Sequence, residues 1–100
     1  MVASTVSSSM LSTIGRREGF YFQDTLTGFK WIGSSAVELN SKGYRTLFGY
    51  EEAIGFSYPD IIPDKDGISS LSIMAEIAYA VYHEGKNLRE HMQELYKKYG

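Results

Sequence analysis

One hundred residues, 43% of them hydrophobic and 22% charged, fit one ordinary globular domain able to bury a modest core. A net charge of −2 with no basic run leaves no electrostatic case for nucleic acid or for an anionic membrane surface. The absence of cysteine excludes a disulfide scaffold and any thiolate metal site, and it fits a reducing compartment such as the cytoplasm.

Val2 to Val6 is small and β-branched and reads as a first strand. Ser7 to Ser9 offers capping hydroxyls, and Met10, Leu11 and Ile14 then recur at helical spacing until Gly15 or Gly19 ends the helix. Phe20 to Leu26 suits a second strand, punctuated by Thr27-Gly28. Phe29, Ile32, Ala36 and Leu39 predict a second helix from Phe29 to about Asn40, with Ser41-Lys42-Gly43 as its turn. Tyr44 to Tyr50 reads as a third strand that runs into Glu51 and Glu52. Phe56 to Ile62 reads as a fourth extended segment, kept to an edge by Pro59.

Pro63 to Gly67 is dense in turn residues, and Ile68 to His83 is the most apolar helix, with Ile68, Leu71, Ala75, Ala78 and Tyr82 on one face. A rod of about 24 Å that is apolar over so much of its circumference is expected to be largely buried. Gly85 stops it. Asn87 with Glu90 forms a capping box for a last helix, whose inner stripe is expected to be Leu88, Met92 and Leu95, with His91 and Glu94 facing solvent. The order β-α-β-α-β-β-α-α predicts an α/β fold with three layers, α/β/α, around one mixed sheet of roughly four strands.

Ligands bind beyond the carboxyl ends of strands in such sheets. Thr27-Gly28 and Glu51-Glu52 both follow strands, and parallel pairing would bring them out at one edge. A glutamate there can accept hydrogen bonds from neighbouring hydroxyls, as on a sugar, or can simply be a solvated strand end. Lys65, between two aspartates, reads as a loop charge or as a phosphate anchor on the same rim. Adjacent glutamates on a strand point apart, so they do not make a glycosidase pair. His83 and His91, eight apart across Gly85, do not make a metal pair. No phosphate-binding glycine loop and no nucleophile elbow occurs. Met1 to Ser9 lacks a secretory signal, and Ile73 to Tyr82, interrupted by Glu76, is too short to span a bilayer. Opening on a strand and stopping just after a helix, the chain is expected to be a domain of a longer protein.

Three segments together resemble the third domain of the α-D-phosphohexomutases. They are Thr25 to Gly33 (Thr-Leu-Thr-Gly-Phe-Lys-Trp-Ile-Gly), Leu47 to Phe56 (Leu-Phe-Gly-Tyr-Glu-Glu-Ala-Ile-Gly-Phe) and Asp64-Lys65-Asp66-Gly67. The likeness covers essentially the whole chain and is nearest to the phosphoglucomutase-2 branch, which includes phosphopentomutase and glucose-1,6-bisphosphate synthase. The resemblance implies a four-domain cytosolic enzyme that moves phosphate between two positions of a sugar phosphate. It also implies a phosphoserine in the first domain, Mg2+ on an acidic loop in the second, a phosphate-gripping loop in the fourth, and glucose 1,6-bisphosphate as activator. The partners it implies are the sugar phosphate and the neighbouring domains, with no nucleic acid and no membrane. By the same resemblance, Glu51 accepts hydrogen bonds from sugar hydroxyls, Thr27 and Gly28 line the sugar site, and Lys65 reaches the sugar phosphate. Glu52 and Ala53 complete the specificity loop, where Ala53 replaces a serine common in the family. Neither the phosphoserine loop nor the metal loop occurs in this chain, so catalytic residues are expected to lie outside it. The rival expectation is a free-standing α/β interaction module with no ligand.

Overall fold

A computed structural model describes residues 1–100. Its elements are β1 (Val2–Ser4), α1 (Met10–Glu18), β2 (Gln23–Thr25), α2 (Phe29–Ser41), β3 (Gly49–Glu51), β4 (Gly55–Ser57), α3 (Gly67–His83) and α4 (Leu88–Tyr99). The order along the chain matches the expected one, but every strand is shorter than its sequence pattern. Thr5-Val6 and Tyr58 to Ile61 turn away from the sheet, the latter through hydrogen bonds from Ile61 and Ile62 N–H to the Tyr58 carbonyl at 2.8 and 3.1 Å. Strand-like composition marked residues that fit a half-buried surface, not the length of the hydrogen-bonded ladder.

The sheet runs β2-β1-β3-β4. β1 is parallel to both neighbours, with Ser4 level with Thr25 and Ala3 level with Tyr50. β4 is antiparallel to β3, Glu51 facing Gly55, and it forms an edge of the sheet as expected, although Pro59 lies in the turn beyond it rather than in the strand. The connections β1-α1-β2 and β2-α2-β3 step in opposite directions along the sheet. Right-handed crossovers therefore put α1 and α2 on opposite faces.

α2 seals its face. Val2, Phe29, Ile32 and Leu39 form the buried cluster, each large apolar side chain contributing about 1.5–3 kcal/mol on burial. Two glycines permit the closeness: a Cβ on Gly49 would meet Ile32 Cγ2 at 2.8 Å, and one on Gly33 would collide with the Pro63 carbonyl oxygen. Gly33 thereby seats the segment before Lys65 against α2.

The opposite face is looser. Phe48, Tyr50 and Phe56 stack there, with Tyr58 tilted against Phe48, and α3 lies over them touching mainly β4 and α4. The expectation that α3 is largely buried is wrong. Val81 is its one buried residue, while Ile68 is 85% and Leu71 71% exposed. Of the face expected to point inward, Ile68, Leu71, Ala75 and Tyr82 are exposed and only Ala78 is half-buried, and the inner side is marked by Ile73 and Val81. The reason is size. A 17-residue helix is about 25 Å long, whereas three-residue strands offer only about 10 Å of sheet. A radius of gyration of 14.0 Å, against about 13 Å for a compact chain of this length, reflects the same overhang. No helix is long and apolar enough to cross a membrane.

Caps follow the sequence with small shifts. Gly19, at φ 79°, ends α1, while Gly15 is buried against Phe20. Ser8, not Ser9, accepts from the Met10 N–H at 3.2 Å. The Asn87–Glu90 capping box is complete. In α4, Met92 is exposed and His91 half-buried, against expectation, because the helix is anchored at its far end. There Arg17 reaches the Lys98 carbonyl, and Lys98 and Tyr99 reach the Glu18 carboxylate.

Gly33→Ala should lower stability by about 1–2 kcal/mol, since the clash with a backbone carbonyl outweighs the helix-propensity gain. A thermal melt at or above the parent midpoint would show that the Pro63 segment can retreat from α2.

Candidate functional site at the carboxyl edge of the parallel strands

Because β2, β1 and β3 are parallel, their carboxyl ends share one edge. Thr27-Gly28, the β1 exit loop and Glu51-Glu52 all emerge there, so the two predicted pairs lie on one rim with β1 between them. Gly28 has φ 113°, a region open to glycine, and it begins α2. The next residue, Phe29, offers its ring to the Lys65 ammonium at 6.0 Å.

Glu51 is the centre of the rim. It ends β3 and is only 7% exposed, and Lys65 Nζ lies 3.8 Å from its Oε1. That distance is an ion pair but not a hydrogen bond. No other cation pairs with this carboxylate. Carboxylates removed from water ordinarily gain closer partners than this. Gly55 makes the approach possible: a Cβ there would lie 2.8 Å from Glu51 Oε1 and 2.9 Å from Lys65 Cδ.

Lys65 is held by its neighbours. The Asp64 carboxylate accepts its backbone N–H at 2.7 Å, and Asp66 N–H bonds to the Phe56 carbonyl at 2.9 Å. Asp66 also caps α3, accepting from Ser69 Oγ at 2.8 Å and from the Ile68 N–H at 3.0 Å. The Ser69 hydroxyl, with the Ser69 and Ile68 amides, holds the Asp66 carboxyl below the usual carboxylate range. The Lys65 side chain remains more than half exposed.

The structure thus brings Glu51, Lys65 and Phe29 together. Thr27, Glu52 and Ala53 are solvent-exposed on the same rim. Glu52 turns toward β1, where its Oε2 accepts from Ser4 Oγ at 2.7 Å. Sequence reasoning missed Ser4 and Phe29 as rim residues. Ser4 carries no signal until the register levels it with the end of β3, and Phe29 reads as plain helix core. A cleft of about 710 Å3 runs along α2 past Phe29, Lys30, Gly33 and Pro63, and none of the predicted site residues lines it. The rim is an open edge rather than a closed pocket.

A family model for the phosphoglucomutase/phosphomannomutase α/β/α domain III matches residues 1–99. The chain belongs to that family. Over 100 residues this domain III is 43% identical to a phosphopentomutase of Mus musculus and to a glucose 1,6-bisphosphate synthase of Homo sapiens. It is 48% identical over 102 residues to a phosphoribomutase of Saccharomyces cerevisiae. All of the chain is covered, but only 16% of each of these relatives. A crystal structure assigned as a phosphomannomutase of Thermus thermophilus superposes with a TM-score of 0.77 at 31% identity. That match covers 94% of this chain and 20% of the other. No three His, Asp or Glu side chains of the domain converge on one point.

Gly55→Ala should force the Glu51 carboxylate and Lys65 apart at a cost of about 1–3 kcal/mol. A crystal structure of the variant with the 3.8 Å pair intact would show that the turn yields elsewhere.

Proposed function

We propose that this domain recognises the sugar in a phosphosugar mutase, an enzyme that shifts phosphate between C1 and C6 or C5 of a hexose or pentose phosphate. One observation carries the reading: a carboxylate almost out of water, loosely paired with an exposed lysine, at the edge where α/β sheets bind ligands. Glu51 accepts hydrogen bonds from sugar hydroxyls that would supply the partners it lacks. Lys65 swings from Glu51 to the phosphate, exchanging a distant carboxylate for a close, doubly charged anion. Thr27, Gly28, Glu52 and Ala53 form the rest of the rim. The names of the relatives, which span pentose and glucose phosphates, support the substrate class.

The chemistry itself belongs to other segments. On this reading a serine elsewhere carries the phosphate, and magnesium sits with it, supplying charge neutralisation at the transferring phosphoryl group. Glucose 1,6-bisphosphate primes the serine. What this chain's residues do is bind and orient: they grip the hydroxyls the same way in both orientations of the sugar, so that either end can face the phosphoserine. The uncovered apolar flank of α3 supports a domain embedded in a larger enzyme. A free-standing interaction module, the rival reading, would have a polar surface all round. A cytoplasmic setting fits a chain without cysteine.

In the complete enzyme, Glu51→Ala should lower kcat/KM roughly ten- to a hundredfold, the loss of a charge-assisted contact of about 1.5–3 kcal/mol. Lys65→Ala should act mainly by raising KM for the phosphorylated sugar. Steady-state kinetics unchanged by either substitution would remove that residue from the site. The 100-residue chain by itself, assayed with glucose 1-phosphate and glucose 1,6-bisphosphate, should show no turnover; measurable product would overturn the division of labour.

A further inference from the structure

We propose that Glu52 is a positioning residue for Glu51, locked by a relay of two serine hydroxyls, rather than a second sugar contact. The proposal rests on the reading of Glu51 as the acceptor of sugar hydroxyls.

The relay is defined by hydrogen counting. Ser4 Oγ donates to Glu52 Oε2 at 2.7 Å and lies 2.7 Å from Ser7 Oγ. A serine hydroxyl has one hydrogen to give. Ser4 gives it to the carboxylate, so Ser7 donates to Ser4. Ser4 is 2% exposed and ends β1 one register step beyond the Ala3–Tyr50 pair. The relay therefore bolts the β1 exit loop to the residue that follows β3.

The turn it holds needs holding. Only Glu52, Ala53 and Ile54 connect Glu51 to its ladder partner Gly55. Ile54 sits at φ 60°, in the left-handed region that a β-branched residue rarely enters. Its side chain is 82% exposed, so burial within the domain does not offset the strain. The charge-assisted bond from Ser4 is the side-chain anchor opposing relaxation of this turn. Tyr50 adds a longer tie, its hydroxyl lying 3.5 Å from the Ser8 carbonyl. With the turn fixed, Glu51 is held between β1 and Gly55 with its carboxylate toward Lys65. While Ser4 engages it, Glu52 has an oxygen committed away from any sugar.

The test uses the complete enzyme, with steady-state kinetics and thermal melts on the same preparations. Glu52→Ala and Ser4→Ala should each lower kcat/KM about tenfold, the scale of one lost charge-assisted hydrogen bond. The double variant should fall no further than the worse single one, since both remove the same link. Glu52→Gln should stay within about threefold of the parent, because the amide oxygen still accepts from Ser4. Two outcomes overturn the proposal. One is Glu52→Gln as damaging as Glu52→Ala, which would mean that the charge itself meets the substrate. The other is Ser4→Ala lowering the melting temperature with kcat/KM unchanged, which would mean that the relay is only structural. If Ser4→Ala does not fold, Ser7→Ala takes its place: a loss of about threefold is expected, and an unchanged kcat/KM overturns the relay. Glu51→Ala is the control. Wild-type activity in that variant would refute the site reading itself, whereas a damaged Glu51→Ala beside a silent Ser4→Ala would refute only the relay.

Discussion

Parallel pairing of β1 with both β2 and β3 is the constraint on which the rest of this domain depends. It fixes three strand ends at one edge, and every candidate ligand residue on the first half of the chain follows one of them. α2 then returns across one face, buries Phe29 and Ile32 against Val2, and carries Phe29 to the rim. The segment before α3 is pressed onto the same helix through Gly33 and brings Lys65 to Glu51. Sheet topology supplies one partner of the pair and close backbone packing supplies the other.

The two faces of the sheet are held unequally. The α2 face is closed by well-packed aliphatic and aromatic side chains. The α3 face is an aromatic layer under a helix that overhangs it, leaving a groove of about 510 Å3 lined by Phe48, Ile54, Phe56, Tyr58, Leu71 and Met74. Side chains over water contribute little to stability, so the domain leans on its α2 side and on the clasp between α1 and α4. That clasp holds one exposed ion pair, Lys98–Glu18, worth little alone, reinforced by the buried Tyr99.

Element order and the cap at Asn87 were legible from local rules, side-chain capping among them, and glycine narrowed the end of α1 to Gly15 or Gly19. Strand ends were not legible, since Tyr44 to Leu47 has strand composition but lies outside the ladder, which begins where the Phe48 carbonyl accepts the Val2 N–H. The orientation of α3 was misread because its apolar residues circle the helix, and periodicity cannot choose a buried side where all sides look alike. At the site, adjacent acids after a strand and a lysine in a turn were visible as candidates. Their meeting on one rim follows from the resemblance but not from spacing, because Gly55 and Gly33 allow it through space. Likewise, nothing in a run of serines separates a helix cap from a donor that reaches a glutamate 48 positions away.

The middle position of β1 also has a bearing on how the domain is assembled. Within this domain the first strand to be made lies between two neighbours, and the second of them ends only at Glu51. Until half the chain has been made, the central strand has one open side, and its contacts are among the most distant in sequence. Such long-range closure is slow. Vectorial synthesis would therefore pair β3 with β1 only after β2, with β4, the Lys65 turn, α3 and α4 added afterwards.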